Sequence, residues 1–220
     1  MSSPLRITAF VLALSALTFG LSACVPESTP EWPQDAVFVM DGQPLTMGEI
    51  DAYAAPLEEI GPSFTLPHRR RVALTEVLIP RARARALYPA EREEALERLE
   101  ARRQALPSGG EDSPEFVVGT WSTIGTPTWL ALRNCAVGEW SDVFEAAGTV
   151  ARAKLLSRDE SEVATLEVFE CLLIWEHYAE DFSLDPAVFG GELQVVADDA
   201  ETWRTVLPTR WLYELERTNR

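Results

Sequence analysis

The sequence predicts an α+β fold, mainly helical, and three observations carry that reading. Between residues 46 and 106, helix-start signals repeatedly precede apolar residues at helical spacing. From Phe116 to Leu156 the pattern changes to short strand-like segments and turns around a helix near Thr128–Asn134. Two short apolar segments, Val37–Met40 and Leu193–Val196, lie far apart in the chain, and each lacks an obvious local partner. They are expected to pair with each other, because a strand left alone exposes unpaired backbone groups.

Taken in order, Val37–Met40 is a strand, and Asp41-Gly42 marks a tight turn in which glycine tolerates positive φ. Thr46 can cap the amide of Glu49, and Glu49 can reach back, which makes a capping box. Leu45 and Ile50 are spaced as a hydrophobic staple around that cap. Ile50, Tyr53, Ala54 and Leu57 form one helical face, stopped by Gly61-Pro62. Pro67 opens a second helix with a buried part at Val72, Leu74, Val77, Leu78 and Ile79. Pro80 should kink it, since proline cannot donate to residue 76. Arg81, Arg83 and Arg85 alternate with alanine and read as a solvated face.

Pro89 opens a third helix to about Leu106, rich in charge, with Glu94 four residues before Arg98. Its apolar positions are few, so one face packs and the rest is wet. Residues 107–114 form a loop and a domain boundary. Val117–Trp121 and Gly148–Leu156 are strand candidates. A strongly apolar helix is expected from Val163 to Tyr178, then a break at Gly190-Gly191. Glu192–Val196 alternates like a half-buried strand. A last helix is expected over about Ala200–Glu216, with Pro208 inside it.

The first residues give an address. Arg6 precedes an uncharged apolar stretch, Ile7–Leu21, and small residues lead into Cys24. That order is a secretory signal peptide. Leu21-Ser22-Ala23-Cys24 resembles a bacterial lipobox, which implies cleavage before Cys24 and a palmitate-bearing lipoprotein anchored by two or more acyl chains. Val25, not aspartate, follows the cysteine and resembles outer-membrane sorting. Residues 1–23 are thus the signal and 24–35 a proline-containing tether. Removing residues 1–23 from the 220 leaves 197, enough for one or two small domains, and loss of Arg6 takes the net charge from -16 to -17. Such acidity argues against nucleic acid as a partner and against adhesion to anionic lipid.

Signatures of catalysis are sparse. Gly109-Gly110 and Gly190-Gly191 lack the spacing of a phosphate loop, and neither Cys-X-X-Cys nor His-Glu-X-X-His occurs. The chain implies no cofactor and no metal. Its two histidines, His68 and His177, sit at a charged helix start and near the end of an apolar segment. Cys135 and Cys171 remain beside the anchor cysteine. They read either as a disulfide in a compartment that permits one or as two buried thiols acting as small apolar groups. Trp121, Trp129 and Trp140 cluster in sequence. They read as core, or as aromatics on a concave surface that binds extended peptides.

Val37-Phe38-Val39-Met40-Asp41-Gly42-Gln43-Pro44-Leu45-Thr46 and the residues to Asp51 resemble the opening of SurA- and PrsA-type periplasmic foldases. That opening is a strand, then Asn/Asp-Gly-X-Pro-Ile/Leu-Thr, then a helix. Arg69–Ile79 is similar to the family's second helix, and the resemblance covers about residues 36–88. Val137–Glu145, with Gly138-Glu139-Trp140-Ser141, resembles the Gly-Glu-hydrophobic-Ser turn of the parvulin prolyl isomerase module. Gly119-Thr120-Trp121 stands where parvulins carry Gly-X-hydrophobic-Gly-Trp. Gly148-Thr149-Val150 aligns with the parvulin Gly-Tyr/Phe-His, and Val150 replaces the histidine. The resemblance implies a helical chaperone-like lobe from residues 36–108 and 159–220, completed by the C-terminal strand and helix. Residues 109–158 would be a degenerate parvulin-like insert.

The implied function is an outer-membrane lipoprotein of the periplasm that binds unfolded or partly folded envelope proteins without catalysis. Two alternatives stand beside it: an active peptidyl-prolyl cis-trans isomerase with an altered site, and a structural accessory lipoprotein of an envelope complex. The address is checked directly by mass spectrometry of the mature N-terminal peptide, in which Cys24 should be acylated; a free Cys24 thiol there would overturn it.

Overall fold

The first described strand, β1 (Ala36–Met40), is built from five apolar residues, and all five are buried. The structure, a computed structural model, describes residues 31–61, 63–106, 113–160, 167–179 and 193–211. The signal, Cys24, most of the tether, Gly190-Gly191 and the end of the last expected helix lie outside the described residues. Asp41 (φ 48°) and Gly42 (φ 75°) both adopt the left-handed backbone that a two-residue hairpin turn requires. They return the chain into β2 (Gln43–Thr46), antiparallel to β1 with Met40 opposite Gln43.

Thr46 Oγ1 accepts the Glu49 amide at 3.2 Å and starts α1 (Met47–Ala54), as its sequence predicts. Such a cap is worth about 1 kcal/mol. Leu45 and Ile50 are both buried at this entry. A short 3-10 turn (Pro56–Ile60) follows and ends at Gly61. The next helical stretch runs through α2 (Leu66–Val72), a π-helical segment (Ala73–Leu78) and α3 (Ile79–Leu87). Pro80 cannot donate a helical bond, and the wide π segment lies directly before it, where the ladder has to be rearranged. α4 (Pro89–Ala105) buries only Ala95 and Leu99.

The remaining elements are β3 (Glu115–Gly119), α5 (Trp121–Ile124), α6 (Thr126–Leu132), β4 (Phe144–Ala146), β5 (Thr149–Glu160), β6 (Glu167–His177), β7 (Leu193–Val195) and α7 (Ala200–Val206). The chain is therefore mixed α+β with two small antiparallel sheets, ordered β2-β1-β7 and β3-β6-β5-β4. The described residues from Trp32 onward belong to one compact unit.

In the first sheet β1 is central. It pairs with β7 in the register Phe38 opposite Val195 and Met40 opposite Leu193, the long-range pairing expected from the sequence. Phe38, Leu78, Ile79 and Trp203 share its core, with Phe38 edge-on to Trp203 at 5.7 Å. The second sheet is covered on both faces. Ala153, Leu155, Phe169 and Cys171 pack with Trp129 and Leu132 of α6, while Val150 and Ile174 pack with Ala84, Ala95 and Leu99 of α3 and α4.

Three expectations are corrected here. The apolar segment read as a helix over Val163–Tyr178 is strand β6 where it is described, at 167–177. A strand buried on both faces loses its polar alternation and reads as a continuous apolar run, which a buried helix also does. The second sheet thereby takes in residues assigned from sequence to the helical lobe. The last expected helix is interrupted after Val206, because Leu207 precedes proline and is driven to extended backbone (ψ 152°); residues 209–211 are helical again, and the rest lies outside the described residues. Arg81 and Arg83 do not belong to a solvated face, although Arg85 is exposed: the Arg83 side chain is 8% exposed and pairs with Asp41 at 3.1 Å.

Phe38→Ala should cost about 3–5 kcal/mol, because it empties the wholly buried position between β7 and Trp203. Urea denaturation followed by tryptophan fluorescence measures it, and a loss below about 1 kcal/mol would contradict this core.

Candidate functional site

Arg81 and Arg85 of α3, with Tyr53 of α1, form one wall of a cleft of about 440 Å³. The facing wall comes from α6, through Leu130, and from the segment that leads into β4, through Trp140 and Phe144. α6 starts after Gly125, whose φ of 81° lies in the region glycine favours, and it presents Leu130 outward while Trp129 and Leu132 enter the core.

The charged groups of the α3 wall are already engaged. Arg81 donates to the Tyr53 hydroxyl at 2.6 Å, pairs with Glu49 and lies 5.1 Å over the Tyr53 ring. At the inner end, the Glu145 side chain is only 5% exposed. Arg85 donates to both its oxygens, at 2.6 and 3.0 Å. Arg92 donates to the same carboxylate at 2.7 Å, and the Tyr178 hydroxyl donates to it at 3.3 Å. Burial alone would raise the Glu145 carboxyl, but the hydrogen bonds from Arg85 and Arg92 outweigh it and hold it below the usual range. The two guanidiniums are raised in return, and burial beside Glu145 pushes the Tyr178 phenol upward.

The nucleophile types in the cleft are engaged as well. Ser141 donates to the Asp142 carbonyl at 2.7 Å and accepts the Ala153 amide at 3.1 Å. Cys135 donates to the Ala131 carbonyl at 3.2 Å, and burial raises its thiol, so it stays protonated near neutral pH. The open lining is more polar than apolar: the exposed carboxylates Glu139 and Asp142 stand beside exposed Val143, while Leu130, Trp140 and Phe144 are half-buried. That set can hold an apolar side chain and accept hydrogen bonds from backbone amides or basic groups.

Of the three tryptophans singled out in the sequence, only Trp140 lines the cleft. Trp129 is buried, and Trp121 donates to Thr126 at 3.1 Å and packs edge-on to Phe64. The three do not gather on one surface. Cys135 and Cys171 are free thiols in the same apolar cluster, Cys171 buried and Cys135 half-buried, and burial raises both. Cys24 lies outside the described residues. His68 stacks edge-on to Phe64, and His177 bonds Thr149 at 2.7 Å; neither lines the cleft. Among the described residues no group of acidic, histidine and cysteine side chains is arranged to hold a metal ion, and no helix is long and apolar enough to cross a membrane.

Sequence reasoning missed the cluster of Arg85, Arg92, Glu145 and Tyr178, whose members come from three separate stretches of chain. One signal was present: Glu145 stands in the apolar run Val143-Phe144-Glu145-Ala146-Ala147, where a lone carboxylate needs a partner if it is buried. Compared with family models, with curated proteins and with solved structures, the chain finds no match in any of the three.

Glu145→Ala should destabilise by about 3 kcal/mol, near the lower end for a broken buried pair because Arg85 remains partly exposed. The folded carboxyl titrates below its ordinary value of 4.5, so its contribution is complete above that pH and lost as pH falls through the folded value. The acid limb of stability against pH should therefore be flatter in Glu145→Gln than in the parent. Identical limbs in thermal melts below about pH 4.5 would overturn this assignment.

Proposed function

We propose that this chain is an outer-membrane lipoprotein, held by lipid on Cys24, that binds unfolded or partly folded envelope proteins without catalysing their isomerisation. The observation that carries the reading is the cleft, in which exposed Val143 and half-buried Trp140 and Phe144 stand among exposed carboxylates at Glu139 and Asp142. Non-native chains offer apolar side chains and unpaired amides, and this set is complementary to both.

In this reading the first sheet and α1–α3 make a SurA-like N-terminal lobe, completed by β7 and α7. The pairing of β1 with β7 supports that composite arrangement. The second sheet is then a parvulin-like insert that has lost its polar site. Val150, which stands where the resemblance places a histidine, is wholly buried among Ala84, Ala95 and Leu99. A substrate imide has no access to that position from the cleft.

Refolding of a proline-limited protein tests both halves of the proposal. Uncatalysed isomerisation takes tens to hundreds of seconds, so a faster phase is easily seen. The expected result is an unchanged rate with less aggregation at stoichiometric chaperone, and weaker protection by the Trp140→Ala, Val143→Ser variant at unchanged circular dichroism. Acceleration at substoichiometric protein would establish the isomerase instead. No protection, with capture of one stoichiometric partner from solubilised envelopes, would establish the structural accessory.

A further inference from the structure

The second sheet leaves one of its edges almost unguarded, and the other described edges show what guarding looks like. β2 carries Pro44, β7 is only three residues long, and β4 is three residues long with the buried charge of Glu145 pointing inward. These are the devices that keep sheet edges from pairing with other chains. β3 is guarded only at its first residue, by the charge of Glu115, and not along the rest of Glu115-Phe116-Val117-Val118-Gly119; Pro114 lies before the strand. It pairs with β6 on one side, and among the described residues no strand lies on the other.

Its side chains alternate in a way that matters for recognition. Val117 packs inward, while Phe116 is 58% and Val118 47% exposed. On that outer face Phe116 neighbours Leu172 and then Lys154, and Val118 neighbours Glu170. Glu115 opens the strand, exposed, and accepts from Trp175 Nε1 at 3.4 Å. Glu170 makes no ion pair among the described residues. In sequence, Glu111 and Asp112 precede the strand.

We propose that β3 is a second client-binding element, which adds an extended segment of a non-native protein as a fifth strand and favours segments that alternate apolar and basic side chains. Backbone hydrogen bonds along the edge supply affinity, Phe116 and Val118 on the outer face take the apolar side chains, and Glu115, on the opposite face at the start of the strand, takes a basic one. Five residues at 3.4 Å each offer a ledge of roughly 17 Å. A second copy of this chain fits less well, because each copy carries a net charge of -16 and brings its own Glu115 to the shared edge. The proposal rests on the client-binding reading but uses a face separate from the cleft.

The probe is a fluorescein-labelled heptapeptide of alternating valine and lysine, titrated with the full chain by anisotropy. Binding is expected to weaken at least tenfold when glutamate replaces lysine, when every backbone amide is methylated, and in Phe116→Thr, Val118→Thr. Threonine keeps strand propensity, so circular dichroism of that variant should match the parent. Protection in the refolding assay, measured separately on the parent, tests the cleft reading, so failure of this edge and failure of that reading are told apart. Equal binding of the methylated peptide, equal binding by the threonine variant, or no binding of the valine–lysine peptide would each overturn the proposal. So would a dimer in sedimentation that the threonine variant dissociates, since the edge would then serve a second copy.

Discussion

Helix α3 ties the two sheets together through arginines that each meet a carboxylate of a neighbouring element. Arg83 reaches the Asp41 carboxylate in the hairpin turn of the first sheet, where both side chains are less than a tenth exposed. Arg85 reaches Glu145 on β4 of the second sheet, and Arg81 reaches Glu49 and Tyr53 on α1. Alternate positions on a helix point to nearly opposite sides, so one short segment can clamp three neighbours. The intervening Ala82 and Ala84 are buried and small, which lets those neighbours come close enough for the guanidiniums to reach. A buried carboxylate without its arginine would cost several kcal/mol, so the clamp leaves little freedom in how the elements are placed.

The cleft follows from that arrangement. Its α3 wall is held by Arg81 and Arg85, and Glu145 closes its inner end. The arginines, Glu145, Ser141 and Cys135 are all engaged by neighbouring protein groups, so the open lining is set by the exposed carboxylates Glu139 and Asp142 beside Val143, Trp140 and Phe144. Such a surface is complementary to apolar and positively charged groups. The exposed edge of β3 offers a different kind of contact, made by the backbone itself. Both suit ligands defined by being unfolded and not by a particular sequence.

Much of the first lobe was legible in the sequence because its signals act over a few residues. Thr46 caps the Glu49 amide, and Asp41-Gly42 turns with positive φ at both positions. Pro67 and Pro89 stand in the first turns of their helices. Even the long-range pairing of β1 with β7 could be anticipated, since two apolar strands without local partners had few other solutions. The cleft was less legible: Trp140 was singled out with Trp121 and Trp129, and nothing in their spacing distinguished the one that faces open space.

By itself, then, the sequence determined the caps, turns, proline starts and the acidic character of the surface, each set by residue types and their near neighbours. Tertiary structure alone decided that Glu167–His177 is a strand, because covering both faces of the sheet removes the alternation that marks one. It also decided that Arg81, Arg83 and Arg85 are clamps, with only Arg85 left exposed to solvent. Whether a guanidinium meets water or a carboxylate depends on what packs against its helix, and here those partners come from the β1–β2 turn, α1 and β4, up to 60 residues away in the chain.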